Sequence, residues 1–375
     1  MINKPGTRPH YQILDGLRGV AAIIVVFFHL AEPLSTNHFN NVVNHGYLAV
    51  DFFFLLSGFV IGYAYDDRWN TLTVGSFLRR RMERLQPLVV LGMTLGAIGF
   101  YFTDSTIWPL IHTVPLWKLL VVMLIGYTIL PIPLSMDIRG WQEMHPLNSV
   151  GWSLFFEYIA NILYAIGLRK LSNKALACFV VLAAALLLHF ALTNPNGDVT
   201  GGWTLNAEHL RVGITRTLFP FFAGLLLLRI APKPVHIKNA FFWCSLLVTA
   251  VLLMPRIGGA ANLWMNGLYE SFCIIIVFPL IVYIGASGLV HGKTENKICV
   301  FLGRLSYPLY MTHYVLVYFY VAWVSNHPGI TLLQALPYAL LTFAGAIVLA
   351  YASLRLYDEP VRNWLKRRWA GPDKQ

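Results

Sequence analysis

Arg18 and His29 lie in one apolar stretch, ILDGLRGVAAIIVVFFHL, residues 13–30. An imidazole takes or gives a proton near neutral pH. A guanidinium holds an anion through paired hydrogen bonds. The two residues are 11 positions apart, almost three turns at 3.6 residues per turn, so on one helix they share a face about 16 Å apart along the axis. A charged side chain inside a membrane helix costs on the order of 2.5–3.5 kcal/mol and marks a functional site by default. The plain alternative is structural: Arg18 snorkels to the inner interface and pairs with Asp15, and His29 caps the outer end. Other candidates stand at helical spacing. Ser306, Tyr310 and His313 fall at i, i+4 and i+7, Ser153 and Glu157 at i and i+4, and Asp51 opens another apolar run.

The elements that must position these groups are membrane helices. The 375 residues are 57% hydrophobic and 12% charged, whereas soluble domains carry about 25% charged and 45–50% apolar residues. Apolar segments recur near 13–31, 48–65, 86–103, 113–134, 150–168, 173–192, 212–228, 239–255, 266–288, 305–325 and 331–356. The fold expected is an all-α polytopic membrane protein, one membrane-embedded unit over 1–375, without a cleaved leader or an appended soluble domain. The net charge of +11 fits cytoplasmic loops that collect Lys and Arg, and nucleic acid is not expected as a partner. Cys178, Cys244, Cys273 and Cys299 are isolated. They read as small buried hydrophobes, with no disulfide and no metal site.

Basic residues cluster at Arg68–Arg84, Arg169–Lys174, Arg229–Lys238, Lys293–Arg304 and Arg362–Lys374, with Lys4 and Arg8 at the start. If all eleven segments spanned, the first cluster would face one side and the other four the opposite side. If the fourth segment does not span, all five share one side. That segment also contains Lys118 and prolines 115, 131 and 133. The expectation is therefore about ten spans with both termini cytoplasmic and 107–134 re-entrant or lying on the outer surface; eleven spans is the alternative. The outer loops 32–46, 194–203, 255–266 and 325–330 are then rich in Asn, Gly and Trp, which suits sugar-like ligands and also ordinary turns.

Five further blocks carry a resemblance. GYLAVDFFFLLSGFVIGY (46–63), FLRRRMERLQP (77–87), VGWSLFFEY (150–158), FLGRLSYPLYMTHY (301–314) and YDEPVRNW (357–364) follow the Arg18–His29 helix in order. This series resembles the acyltransferase-3 family of integral membrane O-acyltransferases, with Ala49 where the family usually has Gly. The resemblance implies transfer of an acyl group, often acetyl, from a cytoplasmic acyl-CoA to a hydroxyl of a sugar, glycan or similar acceptor beyond the membrane. It implies membrane lipids as surroundings and, for a bacterial chain, the cytoplasmic membrane.

That reaction needs a base near the hydroxyl and charge stabilisation near the thioester oxygen. His29 is the expected base, and His313 is its rival, otherwise orienting the acceptor. Asp51 and Glu157 are the available orienting carboxylates, both near the depth of His29, with Glu157 favoured, and Asp51, Ser153, Tyr310 and His313 are expected to contact the acceptor or line a tunnel. The run Arg79, Arg80, Arg81 and Arg84 faces the CoA pool; the resemblance favours Arg80 and Arg84 as phosphate ligands, with Arg18 higher in the same half. Ser57, Gly58 and Gly62 are read as helix-packing residues, and Asp358–Glu359–Pro360 beside Arg355 as an anchor for the last helix. A transporter or flippase of a glycan carrier would share the buried polar groups, but the chain lacks the paired repeats common in transporters. A non-catalytic scaffold would leave ionisable residues at depth in four segments without a role. A small hydroxylated metabolite is the remaining alternative as acceptor.

Overall fold

The computed structural model describes residues 10–35, 41–231 and 237–369. Lys4, Arg8, residues 36–40 of the expected outer loop 32–46, Lys233 within the Arg229–Lys238 cluster and Lys374 lie outside them. The described residues form helices joined by short connections, and their extended pairings are isolated bridges. The helices are α1 Gln12–Ala31, α2 Ala49–Tyr65, α3 Val74–Gly99, α4 Leu116–Tyr127, α5 Gly151–Ile166, α6 Asn173–Thr193, α7 Ala207–Ile230, α8 Ala240–Leu253, α9 Leu263–Phe272, α10 Phe278–Ser287, α11 Gly292–Ser325, α12 Leu332–Ala352 and α13 Glu359–Trp369. π-helical turns at Cys273–Val277 and Ser353–Asp358 make α9–α10 and α12–α13 continuous.

By length and composition, seven described helical stretches can cross a membrane, and the chain is a multi-pass membrane protein. Each of the eleven apolar segments of the sequence holds a helix. α11 has 34 residues, but Tyr307, Tyr310, His313, Tyr314, Tyr318 and Tyr320 dilute its hydropathy. α4 has 12 residues, about 18 Å at 1.5 Å per residue, well short of a hydrocarbon core of about 30 Å. α8, with 14 residues, is short as well.

Two helix pairs dominate the packing, α1 on α11 and α2 on α7. Both run parallel, because their contacts ascend together in both helices. Asp15 meets Gly303, Arg18 meets Ser306 and His29 meets His313. In the second pair Asp51 meets Arg216, Gly58 meets Phe221 and Asp66 meets Arg229. α5 also runs parallel to α2, with Ser57 on Glu157 and Asp66 on Tyr164. Glycine permits the closest approaches. A Cβ on Gly58 would fall 1.7 Å from the Phe221 carbonyl oxygen, and one on Gly224 would fall 2.1 Å from that of Leu55. The packing role expected of Gly58 is thus visible, and it is reciprocal. Ser57, by contrast, makes a polar contact to Glu157. Arg304 and Arg355 both pair with Glu359, and Arg362 with Asp358 at 3.0 Å, which ties α13 to α11 as expected. Cys244, Cys273 and Cys299 are buried, whereas Cys178 is exposed on α6.

Candidate active site

The parallel α1–α11 pair carries the sequence candidates in two tiers. In the first, Arg18 donates to Ser306 Oγ at 2.9 Å and to Asp15 at 2.7 Å. In the second, the His29 ring stacks on His313 with centroids 5.6 Å apart. Each tier opens on its own cavity.

The first cavity has a volume of about 100 Å³. Arg18, Arg81 and Arg84 line it together with Ser57, Glu157 and Ser306, under apolar walls from α2. Glu157 accepts from Arg81 at 2.7 Å and from Ser57 at 2.7 Å. Arg18 and Arg81 are therefore partly neutralised by Asp15 and Glu157, while Arg84 makes no hydrogen bond among the described residues. Arg81 Nε is buried without a partner. A cavity with a surplus of guanidinium groups suits an anion such as phosphate.

The second cavity is larger, about 820 Å³. Trp141, Trp152, Trp203, Tyr47 and Tyr314 supply aromatic walls, and His29, Glu32, Glu143 and Arg216 supply polar groups. His29 Nδ1 lies 3.2 Å from Glu32 Oε2. A carboxylate only accepts, so Nδ1 carries the proton and Nε2 is left as the basic nitrogen. His313 Nδ1 donates to the Leu309 carbonyl at 2.9 Å, and its Nε2 is buried without a partner. His313 lies fully buried behind His29 and does not line the cavity.

The loop 128–150, between α4 and α5, forms one wall. Arg139 stacks over Tyr318 at 3.6 Å, and Glu143 accepts from the Tyr318 hydroxyl at 3.0 Å. Burial pushes the Glu143 carboxyl above its ordinary range, with Ser149 and Arg139 opposing the shift. Ile129 has φ 61°, an outlier for a β-branched residue. Its carbonyl bonds His145 Nε2 at 2.9 Å, and burial pushes the His145 imidazole down to about 4. On the opposite wall, Tyr47 donates to Glu270, which also accepts from Asn266 at 2.6 Å.

Several expectations need correction. Glu157 does not orient His29: it belongs to the arginine tier, and Glu32 orients the imidazole instead. Asp51 lines neither cavity, because Arg216 binds it through Nε at 3.2 Å and again through its terminal nitrogen, with both groups buried. Arg80 is exposed and lines neither cavity, while its neighbour Arg81 does. Ser153 and Tyr310 are brought together, their hydroxyls 2.7 Å apart. The single tunnel expected is two cavities, with Arg18 on one, His313 on neither and Tyr310 on both.

The acyltransferase-3 family profile, described as an acyltransferase domain, matches residues 11–352. The chain belongs to that family and is an acyltransferase. Protein 2 in picA locus of Rhizobium radiobacter is 33% identical over 183 residues, 47% of this chain and 92% of that protein. O-acetyltransferase OatA of Staphylococcus aureus (strain NCTC 8325 / PS 47) is 25% identical over 339 residues, 82% of this chain and 50% of that protein. The chain thus spans about half the length of that staphylococcal relative. No solved structure matches it significantly.

Proposed function

We propose that the chain moves an acyl group, acetyl by analogy with the relatives' names, from cytoplasmic acyl-CoA to a hydroxyl of a sugar or glycan at the outer side of a bacterial cytoplasmic membrane. One observation carries this reading: two cavities of opposite chemistry back onto one another. The arginine cavity suits the anionic donor, and the aromatic cavity with His29 suits a hydroxylated acceptor.

The parallel helix pairs support the sidedness. With α4 outside the membrane, strict alternation sends α1 and α11 in one direction and α2, α5 and α7 in the other. A spanning α4 would make α1 antiparallel to α11 and α2 antiparallel to α7. Ten spans, both termini cytoplasmic, therefore fit the packing. The arginine cavity then faces the cytoplasm, and His29 lies toward the outer leaflet.

In the reaction, the acceptor O–H gives its proton to His29 Nε2 as its oxygen bonds the thioester carbonyl carbon. The C–S bond breaks, and the CoA thiolate leaves with the proton that His29 accepted, which returns the imidazole to its neutral form. Glu32 holds the imidazole in the tautomer that can accept. Arg84, Arg81 and Arg18 hold the donor phosphates and pantetheine arm from below.

The test uses purified protein in proteoliposomes with acetyl-CoA and methyl glucopyranoside. Release of CoA thiol and a 42-dalton-class acyl increment on the glycoside, read by mass spectrometry, are the expected results (about the mass of one acetyl replacing hydrogen, from the C–O bond formed). Glycoside movement across the bilayer without thiol release would replace the enzyme reading with a transporter.

A further inference from the structure

Val50 and Tyr310 are the two residues that line both cavities. Resting on the donor reading above, we propose that they form the partition an acyl group meets at the head of the inner cavity, and that this partition restricts the donor to a short acyl chain.

Both side chains are held. Val50 stands in the first turn of α2, 8% exposed, and a β-branched residue on a helix keeps essentially one χ1 rotamer. Its chain neighbour Asp51 is tied to Arg216, which fixes that turn. Tyr310 is 7% exposed. Its hydroxyl is bound to Ser153 Oγ at 2.7 Å, and its ring packs edge-on to Phe53 at 5.5 Å. Ser153 Oγ donates to the Val150 carbonyl at 3.0 Å, so the Tyr310 hydroxyl is the donor in the pair. Neither residue is a loose flap.

The volumes then set the consequence. The donor must bring its thioester carbonyl to the partition, because His29 and the acceptor are on the far side. Whatever extends beyond that carbonyl has two places to go. One is the inner cavity, about 100 Å³ and already receiving the pantetheine end. The other is across Val50 and Tyr310 into the space the acceptor needs. A methyl group fits the first. Each further methylene meets packed side chains that relax only partly. The bonds made and broken are those of the transfer itself: acceptor oxygen to carbonyl carbon forms, carbon to sulfur breaks, and the hydroxyl proton passes to His29.

The experiment compares acetyl-, propanoyl-, butanoyl- and hexanoyl-CoA with the full chain in proteoliposomes. CoA thiol release gives the rate, and calorimetry gives the affinity. In the wild type, the rate is expected to fall by roughly 10–200-fold for an added methylene, the range a fitted apolar wall achieves. Affinity, set by the phosphates, should change little. Val50→Ala should raise the butanoyl-to-acetyl rate ratio about 10-fold or more, and Val50→Leu should slow acetyl transfer while leaving acetyl-CoA affinity in place. Equal wild-type rates from acetyl to hexanoyl would overturn the partition and leave the donor reading standing. So would a folded Val50→Ala protein with an unchanged ratio. No thiol release from any of the four donors would overturn the donor reading, and the partition with it. If Val50→Ala does not fold, the wild-type series decides alone.

Discussion

The two cavities share a wall but not a chemistry. The inner one is about 100 Å³, apolar-walled and cationic; the outer one is about 820 Å³, aromatic, with two histidines and two carboxylates. The inner cavity is built from positions on α1, α2, α3, α5 and α11, all within regular helix. The outer one takes much of its lining from connections: Glu32, Trp141, Glu143, Thr200, Trp203 and His327 lie outside the main helices. Helices fix a tight shape around one kind of ligand, whereas connecting segments vary without disturbing the bundle. On the proposed function, the contrast separates a constant donor end from an adaptable acceptor end.

The contrast breaks most completely if the sides are wrong, and that outcome is all or none. Cysteines placed at Thr113 and Ser135 flank α4, and both positions are exposed. With an impermeant thiol reagent on intact cells, both should label, as should one at Asn196, whereas one at Thr73 should not. Labelling of Thr113 and Ser135 from opposite sides would make α4 a span and reverse the assignment of everything after it.

Next in size is the base. His29→Ala should lower transfer on the order of 10²–10⁴-fold while acyl-CoA affinity, which the proposed function assigns to the inner cavity, is retained. A folded variant with near-normal turnover would pass the role to His313, whose buried Nε2 lacks a partner.

The inner cavity offers a paired comparison. Arg84→Ala removes a guanidinium that lines it, and Arg80→Ala one that does not. A charge-assisted hydrogen bond is worth roughly 1.5–3 kcal/mol, so Arg84→Ala should weaken acetyl-CoA binding by about 10–100-fold, and Arg80→Ala by little. Equal losses by calorimetry would mean that the whole arginine run acts as a diffuse field.

These two arginines also mark how far the sequence could be read. The apolar segments located every main helix, because hydropathy is written locally. The shortness of α4 was foreshadowed by Lys118 and its prolines. Side-chain pairing was harder. Phe77, Arg81 and Leu85 are buried at i, i+4 and i+8, so Arg81 falls in line with an apolar stripe, and that alignment could have preferred it to Arg80. Glu32, three residues after His29, was legible from spacing alone. The partners of Asp51 and Glu157 were not, since Arg216 and Arg81 are 165 and 76 positions away and meet them only through helix register. Glu143, Trp141 and Trp203 of the outer cavity belong to connections, where no periodicity announces which way a side chain faces.

Glu32→Gln tests the outer dyad. The pair is partly exposed, with Glu32 at 55%, and exposed pairs are worth about 1 kcal/mol or less. The loss in kcat should be about fivefold, with KM for acetyl-CoA unchanged. A loss in donor affinity instead would place Glu32 in the wrong half.

The smallest effect concerns pH and separates the two halves once more. Arginine does not titrate in the ordinary range, so the cations of the inner cavity keep their charge. The loop that walls the outer cavity contains His145, buried, with its imidazole pushed down from 6.5 to about 4 by burial. A group whose folded pKa is depressed binds protons more readily when unfolded. Its contribution is complete above about pH 6.5 and is lost as pH falls toward 4. The full shift corresponds to about 3 kcal/mol, opposed at its acid end by Glu143, whose raised pKa favours low pH. The net loss between pH 7 and pH 5 should therefore be modest, a Tm lower by a few degrees. His145→Gln, which keeps a hydrogen-bond donor toward the Ile129 carbonyl without a titrating ring, should flatten that slope even if it lowers the Tm overall. An unchanged slope in the variant would mean that the acid sensitivity arises elsewhere and that the loop is not the pH-responsive wall.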